Sequence, residues 1–130
     1  MSPSALPCPC GSKLAYEACC GRFHAGPQRL LAPTAEALMR SRYSAFVLGQ
    51  SDYLLSTWHP DTRPPQIESD EPGLRWLGLD VRGCSQQDAD HATVEFVARC
   101  KLGGRASRHH ETSRFVREGG RWFYLDGDVR

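Results

Sequence analysis

The spacing of apolar residues changes along the chain, and each change predicts an element. Ala35, Leu38, Met39, Tyr43, Phe46 and Val47 recur at intervals of three and four, which places them on one face of a helix. Thr34 offers a capping hydroxyl before that run, Glu36 sits in its first turn, and Gly49 ends it. A second, short helix is expected from a Ser51 cap through Trp58, where His59-Pro60 stops it. Pro64-Pro65 then opens a loop to about Gly73.

From Leu74 onward the period becomes two. Leu77, Leu79 and Val81 alternate with polar neighbours. Ala92, Val94, Phe96, Ala98, Cys100 and Leu102 do so over a longer run, against Thr93, Glu95, Arg99 and Lys101. That is the pattern of a half-buried antiparallel strand. Gly103-Gly104 and Gly119-Gly120 supply the positive-φ residues of tight hairpins, so strands are expected near 105–117 and 121–126. Helices first and a meander afterwards predict an α+β layer architecture.

The first 32 residues follow neither period and hold too few aliphatics for a core of their own. They carry instead Cys8, Cys10, Cys19 and Cys20, a C-x-C-x₈-C-C array. Closely spaced cysteine pairs on a short connector suit a tetrahedral metal site, and four thiolates around Zn²⁺ leave no open position for water, which favours structural over catalytic zinc. A disulfide framework is the competing reading. Neither pair can bridge internally without strain, and Met1 to Pro7 show no secretory pattern. A reducing, cytoplasmic setting is therefore expected, where such clusters bind metal or do redox chemistry. Gly11 frees the backbone to turn, Ser12 is a candidate helix cap before one helical turn, and Lys13 offsets part of the thiolate charge. Metal binding would supply folding energy on the order of 10 kcal/mol to this segment. Gly21 to Ala32 reads as a linker or docked arm.

Cys8-Pro9-Cys10-Gly11-Ser12, Tyr16 and Cys19-Cys20-Gly21 resemble the SEC-C motif, the zinc-binding element also found at the tail of the bacterial preprotein translocase ATPase. Leu38-Met39-Arg40-Ser41-Arg42-Tyr43-Ser44-Ala45-Phe46, Asp52-Tyr53-Leu54, Thr57-Trp58-His59-Pro60 and Gly120-Arg121-Trp122-Phe123-Tyr124-Leu125-Asp126-Gly127 extend the likeness to the bacterial YchJ family across nearly the whole chain. The resemblance implies a SEC-C zinc module and linker over 1–32. Over 33–130 it implies a cystatin-like or nuclear-transport-factor-two-like domain, with helices packed on a curved antiparallel sheet. It also implies docking to a protein partner, ribosomal or translocation-related, since the translocase tail has that role. Fold alone does not carry activity.

Composition narrows the picture further. A chain of 130 residues with net charge +1 fits one core and has no generalised attraction to nucleic acid. No apolar run approaches the roughly 20 residues that span a bilayer. Charge is nonetheless uneven, because residues 51–90 sum to minus five and 91–121 to plus four. Arg99, Lys101, Arg105, Arg108, Arg114 and Arg117, with His109 and His110, would form a basic sheet face for RNA, a ribosome or an acidic protein surface. The plainer reading pairs them with Glu95, Glu111 and the acidic loop.

Tyr43, Trp58 and His59 from the helices, with Trp122, Tyr124 and Asp126 from the last strand, are candidate walls of a cavity. There His59 facing a carboxylate would make an acid–base pair. Filling of the core by the aromatics, with His59 capping a helix end, is the stronger expectation, so catalysis is the lesser reading. Arg40 and Arg42, two apart on a helix, cannot both face such a space. Cys100 is expected as a small buried side chain, and Cys84, expected in a turn after a strand, receives no role. Three functions remain: a zinc-held knob presenting Lys13, Tyr16, Arg22 and Phe23 to a partner, a small-molecule binder or enzyme using the cavity, and zinc delivery. A homodimer through the sheet is compatible with each.

Overall fold

A computed structural model describes residues 6–67 and 72–129; residues 1–5, residues 68–71 of the expected loop with its three acids, and Arg130 lie outside the described residues. Helix α2 (Ala35–Leu48) forms where the apolar spacing places it. Thr34 Oγ1 accepts from Ala37 N at 3.0 Å, and Gly49 closes the helix at φ 71°, a left-handed conformation that glycine adopts without steric cost. Leu38, Met39, Tyr43 and Ala45 on its buried face are each less than a tenth exposed. Helix α3 (Ser51–Ser56) is shorter than expected, and Ser51 is its first residue rather than its cap. Beyond it the backbone leaves the helix to pair with the last strand: His59 N donates to Tyr124 O and Tyr124 N donates to Thr57 O, both at 2.8 Å.

Four strands follow, β1 (Arg75–Asp88), β2 (His91–Leu102), β3 (Arg105–Glu118) and β4 (Arg121–Val129), in an antiparallel meander of order β1-β2-β3-β4. Gly103-Gly104 and Gly119-Gly120, all at positive φ, make two of its turns. The ladder sets the faces. Ala92, Val94, Phe96, Ala98 and Cys100 of β2 stand opposite Phe115, Ser113, Glu111, His109 and Ser107 of β3, and this face meets α2.

Register shifts correct two expectations about facing. In β1 a bulge between Trp76 and Gly78 puts Trp76, not Leu77, in line with Leu79 and Val81 on the helix side; Leu77 is 48% exposed. Cys84 lies within β1 rather than in a turn. In β4 a bulge pairs Asp126 with Arg114 and Tyr124 with Phe115, so these two even-numbered residues face opposite sides of the sheet.

The N-terminal segment forms a 3₁₀ turn (Tyr16–Ala18) and one helical turn, α1 (Gly21–His24). Gly21 permits their close packing, since a Cβ there would meet Tyr16 O at 2.8 Å. Its four cysteines and Phe23 join one continuous buried cluster with Leu38, Met39, Tyr53 and Leu54.

Candidate metal centre and interior hollow

A short ladder brings the first cysteine pair back toward the second. Pro7 bridges Ala15, Cys8 N donates to Leu14 O at 2.9 Å, and Gly11 at φ 81° turns the chain between them. Cys8, Cys10, Cys19 and Cys20 are all buried, and their Sγ atoms lie within 4.8 Å of one another. Ser12 is not a helix cap: its Oγ accepts from Leu14 N at 3.2 Å and lies 3.1 Å from Cys19 Sγ. Without a cation such a cluster opposes its own ionisation. Bonds from Cys10 and Cys20 pull the Cys8 thiol down, while bonds from Cys10 and Cys8 push Cys20 up, and burial pushes Cys19 up. A soft divalent ion removes that conflict by taking four thiolates at once, so the donor set fits a metal.

The module is fastened to α2 by contacts the sequence did not announce. Cys8 Sγ lies 3.5 Å from Ser44 Oγ, and Arg40 Nη1 donates to Cys10 O at 2.9 Å while its Nε donates to Glu36. His24, buried, donates through Nε2 to Ser41 O at 2.8 Å and accepts at Nδ1 from Tyr16 OH at 2.5 Å. Burial holds His24 below the ordinary imidazole range, in keeping with that neutral tautomer. Of the four residues expected to face a partner, Tyr16 and Phe23 therefore turn inward: Tyr16 is committed to His24 and Gln50, and Phe23 is 5% exposed. Lys13 and Arg22 remain exposed.

Between α2 and the sheet lies a hollow of about 570 Å³. Tyr43, Trp58 and Tyr124 line it, as expected. His59, Trp122 and Asp126 do not. His59 Nδ1 accepts from Asp61 N, its Nε2 donates to Glu118, and its ring meets Phe123, so it braces the loop against β4. Trp122 is buried against Arg117, and Asp126 sits on the far side of the bulge, bound to Arg114. Cys100 is only half-buried; it lines the hollow with Sγ 3.2 Å from Ser107 Oγ.

Sequence reading missed the polar groups in this space. Glu111 accepts from His109 Nε2 at 2.9 Å, Ser113 Oγ at 2.6 Å and Tyr124 OH at 3.1 Å. Burial pushes its carboxyl up, but the three hydrogen bonds outweigh burial and hold it below the ordinary range; the same carboxylate raises His109. The signal was the inward parity of Glu111 in the strand expected over 105–117. Of the two arginines, Arg42 is the one that faces inward. Its Nη1 donates to Leu54 O and Thr57 Oγ1, and its guanidinium carbon sits 5.1 Å and 4.6 Å from the ring centroids of Trp58 and Tyr124. Burial lowers it to about 10, so it stays charged at neutral pH.

The expected basic face is divided. Arg99, Lys101, Arg108 and Arg114 share the outer parity, whereas Arg105 and Arg117 fall on the other. Arg114 is taken by Asp126 and Asp128, and Arg117 by Asp90. Glu95 pairs with His110.

A buried four-cysteine knot seated on a helix-and-meander domain defines a class: SEC-C proteins with a nuclear-transport-factor-two-like fold. Residues 6–22 match the SEC-C motif, and residues 34–127 match the family described as YchJ, middle NTF2-like domain. A UPF0225 protein of Bordetella parapertussis is 62% identical over 99% of this chain and 96% of its own. One of Methylibium petroleiphilum is 64% identical over 95% and 89%. The solution structure of a SEC-C motif containing protein from Rhodopseudomonas palustris superposes at TM-score 0.83 with 37% identity, covering 96% of this chain and 99% of that one. A crystal structure of a SEC-C motif containing protein from Psychrobacter arcticus gives 0.80 with 33% identity, covering 98% and 84%. The chain belongs to the YchJ family, among the UPF0225 proteins. No helix of the described residues is long and apolar enough to cross a membrane.

Proposed function

We propose that this is a zinc-stabilised binding protein. Cys8, Cys10, Cys19 and Cys20 hold one structural Zn²⁺, and the metal fastens the N-terminal segment to α2, the helix that walls the hollow. The observation that carries this reading is the convergence of four buried thiols directly against Ser44 of that helix. The ion supplies folding energy and charge compensation; the hydrogen bonds of His24 and Arg40 carry the resulting rigidity into α2. Burial of all four sulfurs weighs against zinc delivery, which needs a ligand-exchange route. Six unpaired thiols among the described residues favour a reducing compartment, the cytoplasm. Native mass spectrometry of the purified chain should find one zinc per chain, lost in Cys20→Ser. A folded chain purified with no metal would reject the reading.

Docking of a protein partner on the module is a second reading, favoured by the exposure of Leu6 (68%) and Leu14 (52%) beside Lys13. A photocrosslinker at position 14 should then capture one defined partner in cells, and one at the similarly exposed Leu48 should not. Equal capture at both positions would reject it.

A further inference from the structure

Arg42 is 5% exposed, yet among the described residues no carboxylate lies within ion-pair distance of it; the arginine ion pairs involve Arg40, Arg82, Arg114 and Arg117. Its Nη1 is occupied by two neutral oxygens, and its Nε and Nη2 make no hydrogen bond among the described residues. Leaving a buried charge without a counter-ion is costly, and folded proteins seldom keep one without a reason. Glu111, the nearby anion, is engaged by His109, Ser113 and Tyr124. Trp58, which stacks with Arg42, has its indole Nε1–H buried with no acceptor among the described residues. Arg42 thus sets a positive charge with unused donors into the wall of the hollow.

The rest of the wall is of opposite character. Phe46, Trp76, Phe96, Phe115 and Met39 are apolar and mostly aromatic, and the volume suits one small organic molecule. Glu111 is the one carboxylate of the lining, and Arg108, at outer parity, turns its charge to the other face of the sheet. Cys100 and Tyr43 complete the titratable groups that face the space, with His109 and Tyr124. We propose that the hollow binds a small aryl carboxylate, its carboxylate held by the Arg42 guanidinium and its ring packed among the aromatic side chains. A guanidinium offers paired donors in the plane a carboxylate requires, which an ammonium does not. The proposal rests on the zinc reading only in needing α2 in place over the sheet.

The test uses the full chain with its zinc content measured, and NMR titration with phenylacetate, 3-phenylpropionate and indole-3-acetate, each against its primary amide. The amide keeps the ring and shape and removes the charge. At least one acid should shift the resonances of Trp58, Phe96 and Phe115 and bind about 10- to 100-fold more tightly than its amide, the range expected of a hydrogen bond to a charged group. Arg42→Met should abolish that difference. If this variant does not fold, Arg42→Lys, which keeps the charge and removes the paired planar donors, should weaken the acid more than the amide. Alkylation of Cys100 in a Cys84→Ser background should slow when the acid is bound. Acids and amides binding equally, shifts confined to residues outside the hollow, or no shifts up to about 10 mM would overturn the proposal. Zinc-free yet folded protein that still prefers the acid would sink the metal reading and leave this one standing.

Discussion

Replacing Gly127 by alanine adds one methyl group and tests the Glu111 network. Gly127 stands opposite Ser113 in the β3–β4 ladder. A Cβ there would lie 2.7 Å from Cδ and 3.0 Å from Cγ of Glu111, and closer still to Oε2. Its φ is not in the left-handed region, so backbone entropy alone favours alanine by about 0.4–1 kcal/mol. Against this stands a carboxylate 9% exposed as a residue and held by three donors. Making room requires it to leave them. Hydrogen bonds to a charged group contribute about 1.5–3 kcal/mol each, and partial rehydration offsets some of the loss, so the net cost is about 2–4 kcal/mol. For a domain of this size the expected fall in Tm is about 10 °C, read by circular dichroism. Gly83→Ala, where nothing lies within 4 Å, should change stability by less than about 0.5 kcal/mol. Equal melting of the two variants would refute the steric reasoning and the network with it.

Thr34→Ala, which removes the α2 N-cap, should cost about 1 kcal/mol in chemical denaturation, and Gly49→Ala about 1 kcal/mol through strain at φ 71°; if neither moves the midpoint, the helix ends are not as described. The His109–Glu111 pair sets a pH window. A raised histidine stabilises fully below its ordinary value of 6.5 and fades as pH climbs through its folded value, while a lowered carboxyl stabilises above 4.5 and is lost as pH falls through its own. Stability should therefore peak between those two ordinary values, and His109→Gln should flatten the alkaline side; an unchanged profile would contradict the pairing. Cys84, though exposed, is pushed up to about 11 by partial burial of its thiol and by Glu36, so it should alkylate slowly at neutral pH and faster in Glu36→Gln. A rate equal to that of a free thiol, indifferent to the substitution, would contradict that contact.

The helix over 35–48 and the strand over 91–102 were legible because each buries one face, and burial of one face writes its period into the sequence. The cysteines converge because the ligand pairs are close in sequence. Strand facing was less legible wherever a bulge intervenes. The alternation of Leu77 with Leu79 pointed to the wrong residue by one position, and Asp126 was placed with Tyr124 because parity carries no trace of the bulge between them. His59 was drawn into the cavity by residue type, whereas backbone pairing of residues 57–59 with β4 carries it to the other side. The Arg40 and Arg42 ambiguity needed the N-terminal segment in place, since Arg40 is oriented by the Cys10 carbonyl. Tyr16 and Phe23 were read as a presented surface because their partners, His24, Gln50 and the α2 face, are remote contacts that no local pattern records.

Hydrogen exchange on α2, measured before and after zinc is stripped by a strong chelator under reducing conditions, addresses the fastening of this helix by the four thiolates most directly. Loss of the ion should release the amides of Leu38 to Ala45 together with the N-terminal segment, while the central strands β2 and β3 keep their protection. Unchanged protection along α2 in metal-free protein would contradict it.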